Sequence, residues 1–340
     1  MKAAVLTKTQ SPLEILEVDL PKELERGQVL VRVLVAGICG SQLQEIDGAK
    51  GNPKHIPHLL GHEGCGIVEA VGPNVQLVKP GNKVVMHWRK GEGIDAHPAF
   101  YGKIKSGPIT TFSQYSIVSE NRVTPVSSWL PDELAALLGC ALSTALSTIE
   151  RVAKVRFGER VLVVGCGGVG LSMIMAAQLM QAEVVGTDIE QYKKRYVENL
   201  GARFTHHTPT EDFDVIIDTT TKPSMFHHLA PTGRYILIGQ PHYKSFLPVD
   251  IDGLFRGQGQ TIQATSGGDF SPSWDIPRYA NMFFAGHLDG YDKLISHSVD
   301  LDHINEGIGF IRDGTAARVM VDMGTAKAKD YILHPEESMN

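Results

Sequence analysis

Residues 161 to 170 read Val-Leu-Val-Val-Gly-Cys-Gly-Gly-Val-Gly, an apolar run that breaks into Gly-x-Gly-x-x-Gly, and a second apolar run, Glu183-Val-Val-Gly-Thr-Asp188, closes on a carboxylate. That layout belongs to a βαβ unit that binds a dinucleotide, and it constrains the fold more than any other feature of the chain. Gly165 permits the tight turn out of the strand, Gly167 lets the backbone approach a pyrophosphate, and Gly170 lets the helix pack on the sheet, with Gly168 between them. The helix expected over Val169 to Met180 then directs its first amides at the phosphates. Asp188 is placed to accept hydrogen bonds from an adenosine ribose. Its charge repels a 2′-phosphate, so NAD is expected ahead of NADP. Lys193, Lys194 and Arg195 follow closely and work against that preference; Lys193 is a candidate cofactor contact, and a solvated helix face accounts for the three equally well.

At 340 residues the chain suits two domains, each large enough for its own core. Its net charge of −6 gives no electrostatic reason to expect nucleic acid or an anionic membrane as a partner, so small molecules are expected instead. The N-terminus, Met1-Lys-Ala-Ala-Val-Leu, has too short an apolar stretch for a signal peptide, and no lipidation motif is present. Val161 to Ala182 is uncharged and long enough to span a bilayer, but its glycines and its strand-turn-helix pattern argue for a buried parallel strand. A cytoplasmic protein is expected. Cys39, Cys65, Cys140 and Cys166 lack framework spacing, which fits reduced thiols.

Before about residue 125 the chain shows short β-rich runs, such as Val29-Leu-Val-Arg-Val-Leu-Val and Gly66-Ile-Val-Glu-Ala-Val, separated by Gly, Pro and Asn. From Asp132, a helix-cap candidate, strand and helix alternate. Strands are expected at Arg160 to Val164, Glu183 to Thr187, Asp214 to Asp218, Arg234 to Gly239 and Gln260 to Thr265, forming a doubly wound parallel sheet. After about 290 short runs return, ending in Ala317-Arg-Val-Met-Val-Asp. The expected division is therefore 1–145 with 290–340 as one domain and 146–289 as an inserted cofactor domain, with a cleft between them. The tail from Ala326 is polar and is expected to be loosely held.

The first domain supplies Gly37-Ile-Cys-Gly-Ser41, Gly61-His-Glu-Gly-Cys-Gly66 and Gly139-Cys-Ala-Leu-Ser-Thr144. Cys39, His62 and Cys140 suit zinc, and three protein ligands leave a fourth position open for chemistry. None of the spacings is local, and a lone cysteine is ordinarily a small buried hydrophobe. These segments, in this order and ahead of the glycine motif, resemble the zinc-dependent medium-chain dehydrogenase/reductase family of alcohol and polyol dehydrogenases. The likeness runs from Met1 to about Gly324. It implies an α/β chain with a GroES-like irregular β-rich catalytic domain and a Rossmann cofactor domain, using NAD and one catalytic zinc on Cys39, His62 and Cys140.

The resemblance carries further roles residue by residue. Glu63 matches a glutamate that approaches the metal, Ser41 a hydroxyl that takes the substrate's proton, Thr144 and Val169 the nicotinamide face, and Arg318 a pyrophosphate contact. His87 and Trp88 match the wall of the substrate pocket. Polar neighbours Arg89, Lys90, Asp95 and His97 favour a secondary alcohol on a polyol, cyclitol or sugar derivative, whose ketone is the product. Two departures stand out: Gln42 where many members carry Asp, and Gln44 where they carry His. Gln42 offers no carboxylate to orient a ligand and Gln44 no base to end a proton relay. The stretch from about 88 to 115 has no cysteine, so the family's optional second zinc is absent. The resemblance also implies a homodimer or homotetramer. Two other readings remain: a zinc-free quinone or enoyl reductase of the same fold, and a non-catalytic nucleotide-binding protein.

Overall fold

The computed structural model describes residues 1–49, 55–206, 209–222, 224–241, 244, 246 and 259–324. The expectation for the tail from Ala326 lies outside them. Five of the runs read as strands pair, with one more, into a six-stranded sheet. Its spatial order is Arg203–Thr205, Glu183–Thr187, Arg160–Val164, Phe213–Asp218, Leu229–Leu237 and Thr261–Ala264, all parallel. This is the 3-2-1-4-5-6 order of a Rossmann sheet, and its direction of winding reverses between Arg160–Val164 and Phe213–Asp218, where such sheets open a ligand crevice. Continuous Val/Leu/Ile runs form these strands because both faces are buried: one packs under the helix Gly168–Leu179, and the other gathers Leu162, Val164, Ile216 and Tyr235 in a second apolar cluster. Val161, Leu162, Val163, Val215, Ile216 and Ile217 are fully buried.

The apolar segment long enough for a membrane splits into the strand Arg160–Val164 and the helix Gly168–Leu179. Among the described residues no single helix is long and apolar enough to cross a membrane.

The β-rich part contains a seven-stranded sheet. Along it run Val123–Pro125, Lys83–His87, Glu63–Val71, Gln28–Ile38, Arg318–Asp322 and Ile295–Asp300, and Tyr115–Ser119 pairs with Gln28–Ile38 off that path. Two strands from beyond residue 290 thus lie in the sheet begun by the first forty residues, with Val319 opposite Ile38. A smaller sheet joins Lys2–Leu6, Glu14–Glu17, His58–Leu59, Ile104–Lys105 and Phe100–Tyr101.

Three local expectations need correction. Asp132 does not cap its helix: Pro131 holds the cap position, Asp132 is the first helical residue, and its carboxylate pairs with the buried Lys83 ammonium instead. The strand expected from Arg234 begins at Leu229, through Pro231 and Gly233, and the pairing shifts register there. The short helix Gly40–Ile46 was not anticipated; with seven residues and a polar sequence it gives no periodic signal.

Candidate metal centre

Three segments distant in sequence end at one place. Cys39 follows the strand Gln28–Ile38 directly and caps Gly40–Ile46 in an extended conformation. His62 stands just before Glu63–Val71, and Cys140 sits in the break between the helices Asp132–Leu138 and Ala141–Ser147. Register explains the convergence: Ala36 faces Gly64 and Glu63 faces His87, so neighbouring antiparallel strands deliver their ends to the same edge. One ligand atom from each of Cys39, His62 and Cys140 lies within 4.8 Å of the other two.

The electrostatics of the centre are those of a cation site. The Cys39 thiol is held well below its usual range, first by a hydrogen bond from Cys140 and then by the charges of Arg318 and His62, against the opposing effect of burial. Cys140 moves the opposite way, raised by its hydrogen bond to Cys39 and by burial. The outer nitrogen of His62, Nδ1, lies 2.5 Å from the Gln42 side-chain amide and 3.4 Å from Ser41 Oγ. Its Nε2 is buried and outside proper hydrogen-bond geometry with any described residue. A buried polar atom without a partner is costly and calls for an unseen one. Two soft sulfurs and one orphaned imidazole nitrogen suit zinc.

Glu63 is not a fourth donor here. Burial raises its pKa, yet its carboxylate is engaged by the guanidinium of Arg318 at 2.5 Å and accepts the Ala141 N–H at 3.3 Å. Arg318 is itself buried; burial alone would lower its pKa, but the charges of Glu63, Cys39 and Cys140 outweigh that and raise it. It lies beside Gly168, so one side chain links the sulfur centre to the glycine loop.

The loop has the shape a dinucleotide needs. Gly165 adopts φ +86°, and a Cβ at Gly170 would overlap the Gly165 carbonyl oxygen. Gly167, at φ −79°, faces open space on its Cβ side at the start of the helix Gly168–Leu179. Asp188 is fixed by accepting N–H groups from Cys166 at 2.6 Å and Glu190 at 2.9 Å. The Lys193 ammonium is buried near Asp188 and bonds the Ala316 carbonyl, between the rings of Tyr192 and Tyr196. Val169 is half-buried against the core, and Thr144 is buried one turn after Cys140, beside Gly268.

The expected pocket residues divide. His87 is fully buried and both ring nitrogens are engaged, by the Arg89 carbonyl at 2.7 Å and Thr124 Oγ1 at 2.9 Å, so it does not face a substrate. Trp88 is half-buried, edge-on to Phe270 at 6.3 Å and against Gly267. Gln44 reaches across to the Gln240 carbonyl at 3.0 Å. A cavity of about 380 Å³ opens beside the centre, lined by Gln42, His62, Glu45, His58, Leu60 and Lys105 among others. The last three polar residues were missed from sequence, although His55-Ile-Pro-His58 just ahead of His62 was a visible signal. A larger cavity of about 470 Å³, near Leu13 and Arg312, touches none of the donors.

Residues 25–128 match the family model of the alcohol dehydrogenase GroES-like domain, and residues 139–231 match that of the alanine dehydrogenase/PNT C-terminal domain. A relative, the NDMA-dependent alcohol dehydrogenase of Amycolatopsis methanolica, is 28% identical over 94% of this chain and 98% of its own. Among solved structures, an alcohol dehydrogenase zinc-binding domain protein from Burkholderia ambifaria is 25% identical with a TM-score of 0.85, covering 95% of this chain and 98% of that one. Benzyl alcohol dehydrogenase from Acinetobacter calcoaceticus, at 23% identity, has a TM-score of 0.84 over 95% of this chain and 99% of that one. With a GroES-like domain, an NAD-binding domain and relatives that align from end to end, the chain has the alcohol dehydrogenase-like fold and resembles medium-chain alcohol dehydrogenases over nearly its whole length.

Proposed function

We propose that the chain is a zinc-dependent dehydrogenase that moves a hydride between a secondary alcohol, on a polyol, cyclitol or sugar derivative, and NAD. The observation that carries this reading is the meeting of Cys39, His62 and Cys140 at the end of the sheet, linked through Arg318 to the glycine loop. Zinc held by those three residues supplies a Lewis acid that makes an alcohol proton easier to lose, and NAD supplies the hydride acceptor.

The chain's own residues do the rest. Ser41 Oγ, beside the His62 ring, is the hydroxyl placed to take the substrate's proton, and Gln44, held on the Gln240 carbonyl and without basic character, passes none onward, so protons leave through water. Gly167 and the helix N-terminus seat the pyrophosphate, with Arg318 as their cation. Thr144 and Val169 border the nicotinamide. Asp188, fixed by two N–H groups, takes the ribose hydroxyls, and the Lys193 ammonium is bonded to the Ala316 carbonyl and not presented to a 2′-phosphate, which favours NAD over NADP. Trp88 forms an apolar wall, and Glu45, His58 and Lys105 make the cavity beside His62 more polar than a small aliphatic alcohol needs.

A panel of substrates tests the reading through NADH formation. Sorbitol, inositol and related secondary alcohols are expected to give a kcat/KM at least tenfold above that of ethanol or propan-1-ol. Faster turnover of the simple primary alcohols contradicts the substrate class, and no turnover of any alcohol or ketone by zinc-loaded protein contradicts the enzyme.

A further inference from the structure

Gln42 makes two contacts at once: its Oε1 accepts the Cys39 backbone N–H at 2.9 Å, closing the cap of the helix Gly40–Ile46, and its Nε2 faces His62 Nδ1 at 2.5 Å. Side-chain amide oxygen and nitrogen are distinguished only by their partners, and here one partner is decisive, because a backbone N–H can only donate. The oxygen therefore belongs on Cys39 and the NH₂ group on the imidazole. Nδ1 must then be the acceptor nitrogen, which in a neutral ring puts the proton on Nε2, the buried nitrogen directed at the sulfurs. A ring that binds a metal through Nε2 needs the opposite arrangement, with the proton on Nδ1 and an acceptor to receive it.

We propose that Gln42 is a positioning residue that sets His62 against metal binding and so makes the zinc of this chain readily exchangeable. The inference rests on the zinc reading above. If the amide stays as it is, its NH₂ opposes the Nδ1–H of the ligated ring; if it turns over, the NH₂ opposes the Cys39 N–H. Either way one of the two donors loses the amide oxygen, and in the first case the Nδ1–H is left with only the long contact to Ser41 Oγ at 3.4 Å. A carboxylate in this position satisfies both, one oxygen on each N–H, and both donors belong to metal ligands.

Gln42→Glu is the isosteric test: it replaces NH₂ by oxygen and supplies the charge of a carboxylate. Full-length wild type and variant are loaded with one equivalent of zinc, and metal release to a chromophoric chelator is timed. The variant is expected to release zinc about 10–100-fold more slowly. In both proteins the sulfur-to-cobalt charge-transfer band is expected after cobalt substitution, with the variant again slower to lose it. Equal release rates overturn the proposal while leaving the zinc reading intact. A wild type that takes up no zinc and shows no cobalt band overturns both. Should Gln42→Glu fail to fold, as judged by its thermal unfolding, Gln42→Asp carries the same two-oxygen acceptor and the same prediction.

Discussion

At the scale of single residues, His87 shows how a group can match a pocket position in sequence and be something else in space. Its two partners, the Arg89 carbonyl and Thr124 Oγ1, make it a satisfied core histidine, and burial pushes its pKa down to about 4. The unfolded chain, with an ordinary histidine pKa near 6.5, binds more protons between pH 6.5 and 4. Stability from this group is therefore complete above pH 6.5 and is lost as the pH falls toward 4. At pH 5 the loss is about 2 kcal/mol. Urea unfolding at pH 7.5 and pH 5 is expected to show a pH-dependent loss smaller by about that amount in His87→Gln than in wild type. Equal losses in the two proteins contradict it. Cys39, His62 and Cys140 were legible because their residue types and order carry the chemistry. The Glu63–Arg318 pair was not legible as a pair, because nothing local in the sequence couples positions 63 and 318; only the register of their two strands on the shared neighbour Gln28–Ile38 does.

At the scale of elements, the parallel strands were legible because burial on both faces leaves an uninterrupted apolar run with a sharp glycine or charged boundary, as at Arg160–Val164 and Glu183–Thr187. The start of Leu229–Leu237 was hidden because Pro231, Thr232 at φ +60° and Gly233 spell a turn, and the parallel neighbour Phe213–Asp218 absorbs it with a register shift. The glycine loop offers a paired prediction at this scale. Gly170→Ala forces a Cβ into the Gly165 carbonyl and is expected to destabilise the protein by about 1–3 kcal/mol, read as a lower urea midpoint. Gly167→Ala meets only open space, and its backbone suits any residue, so stability is expected to hold while the NAD dissociation constant rises at least tenfold by calorimetry. Equal NAD affinity in Gly167→Ala and wild type would remove the loop from the cofactor site.

At the scale of the molecule, the site exists because two parts of the chain with different architectures close on each other. The seven-stranded sheet brings Cys39, His62 and Arg318 to one edge, where Cys140 meets them, and the parallel sheet offers its switch point. Arg89 to the Ser266 carbonyl at 3.0 Å, the Glu92 N–H to Ser273 Oγ at 2.8 Å and Gln44 to Gln240 bridge the two. Such contacts hold reacting groups in place and limit water without joining the chemistry. The two sheets were legible from hydrophobic patterning and the glycine motif, whereas the cavity beside His62 was not, because Lys105 and His58 meet only through pairing of two-residue strands. The central claim is that one zinc sits on Cys39, His62 and Cys140. Zinc K-edge X-ray absorption of the purified, zinc-loaded protein tests it most directly. The account predicts one zinc per chain with two sulfur neighbours and one imidazole; a zinc shell without sulfur, or a chain that retains no zinc, would contradict it.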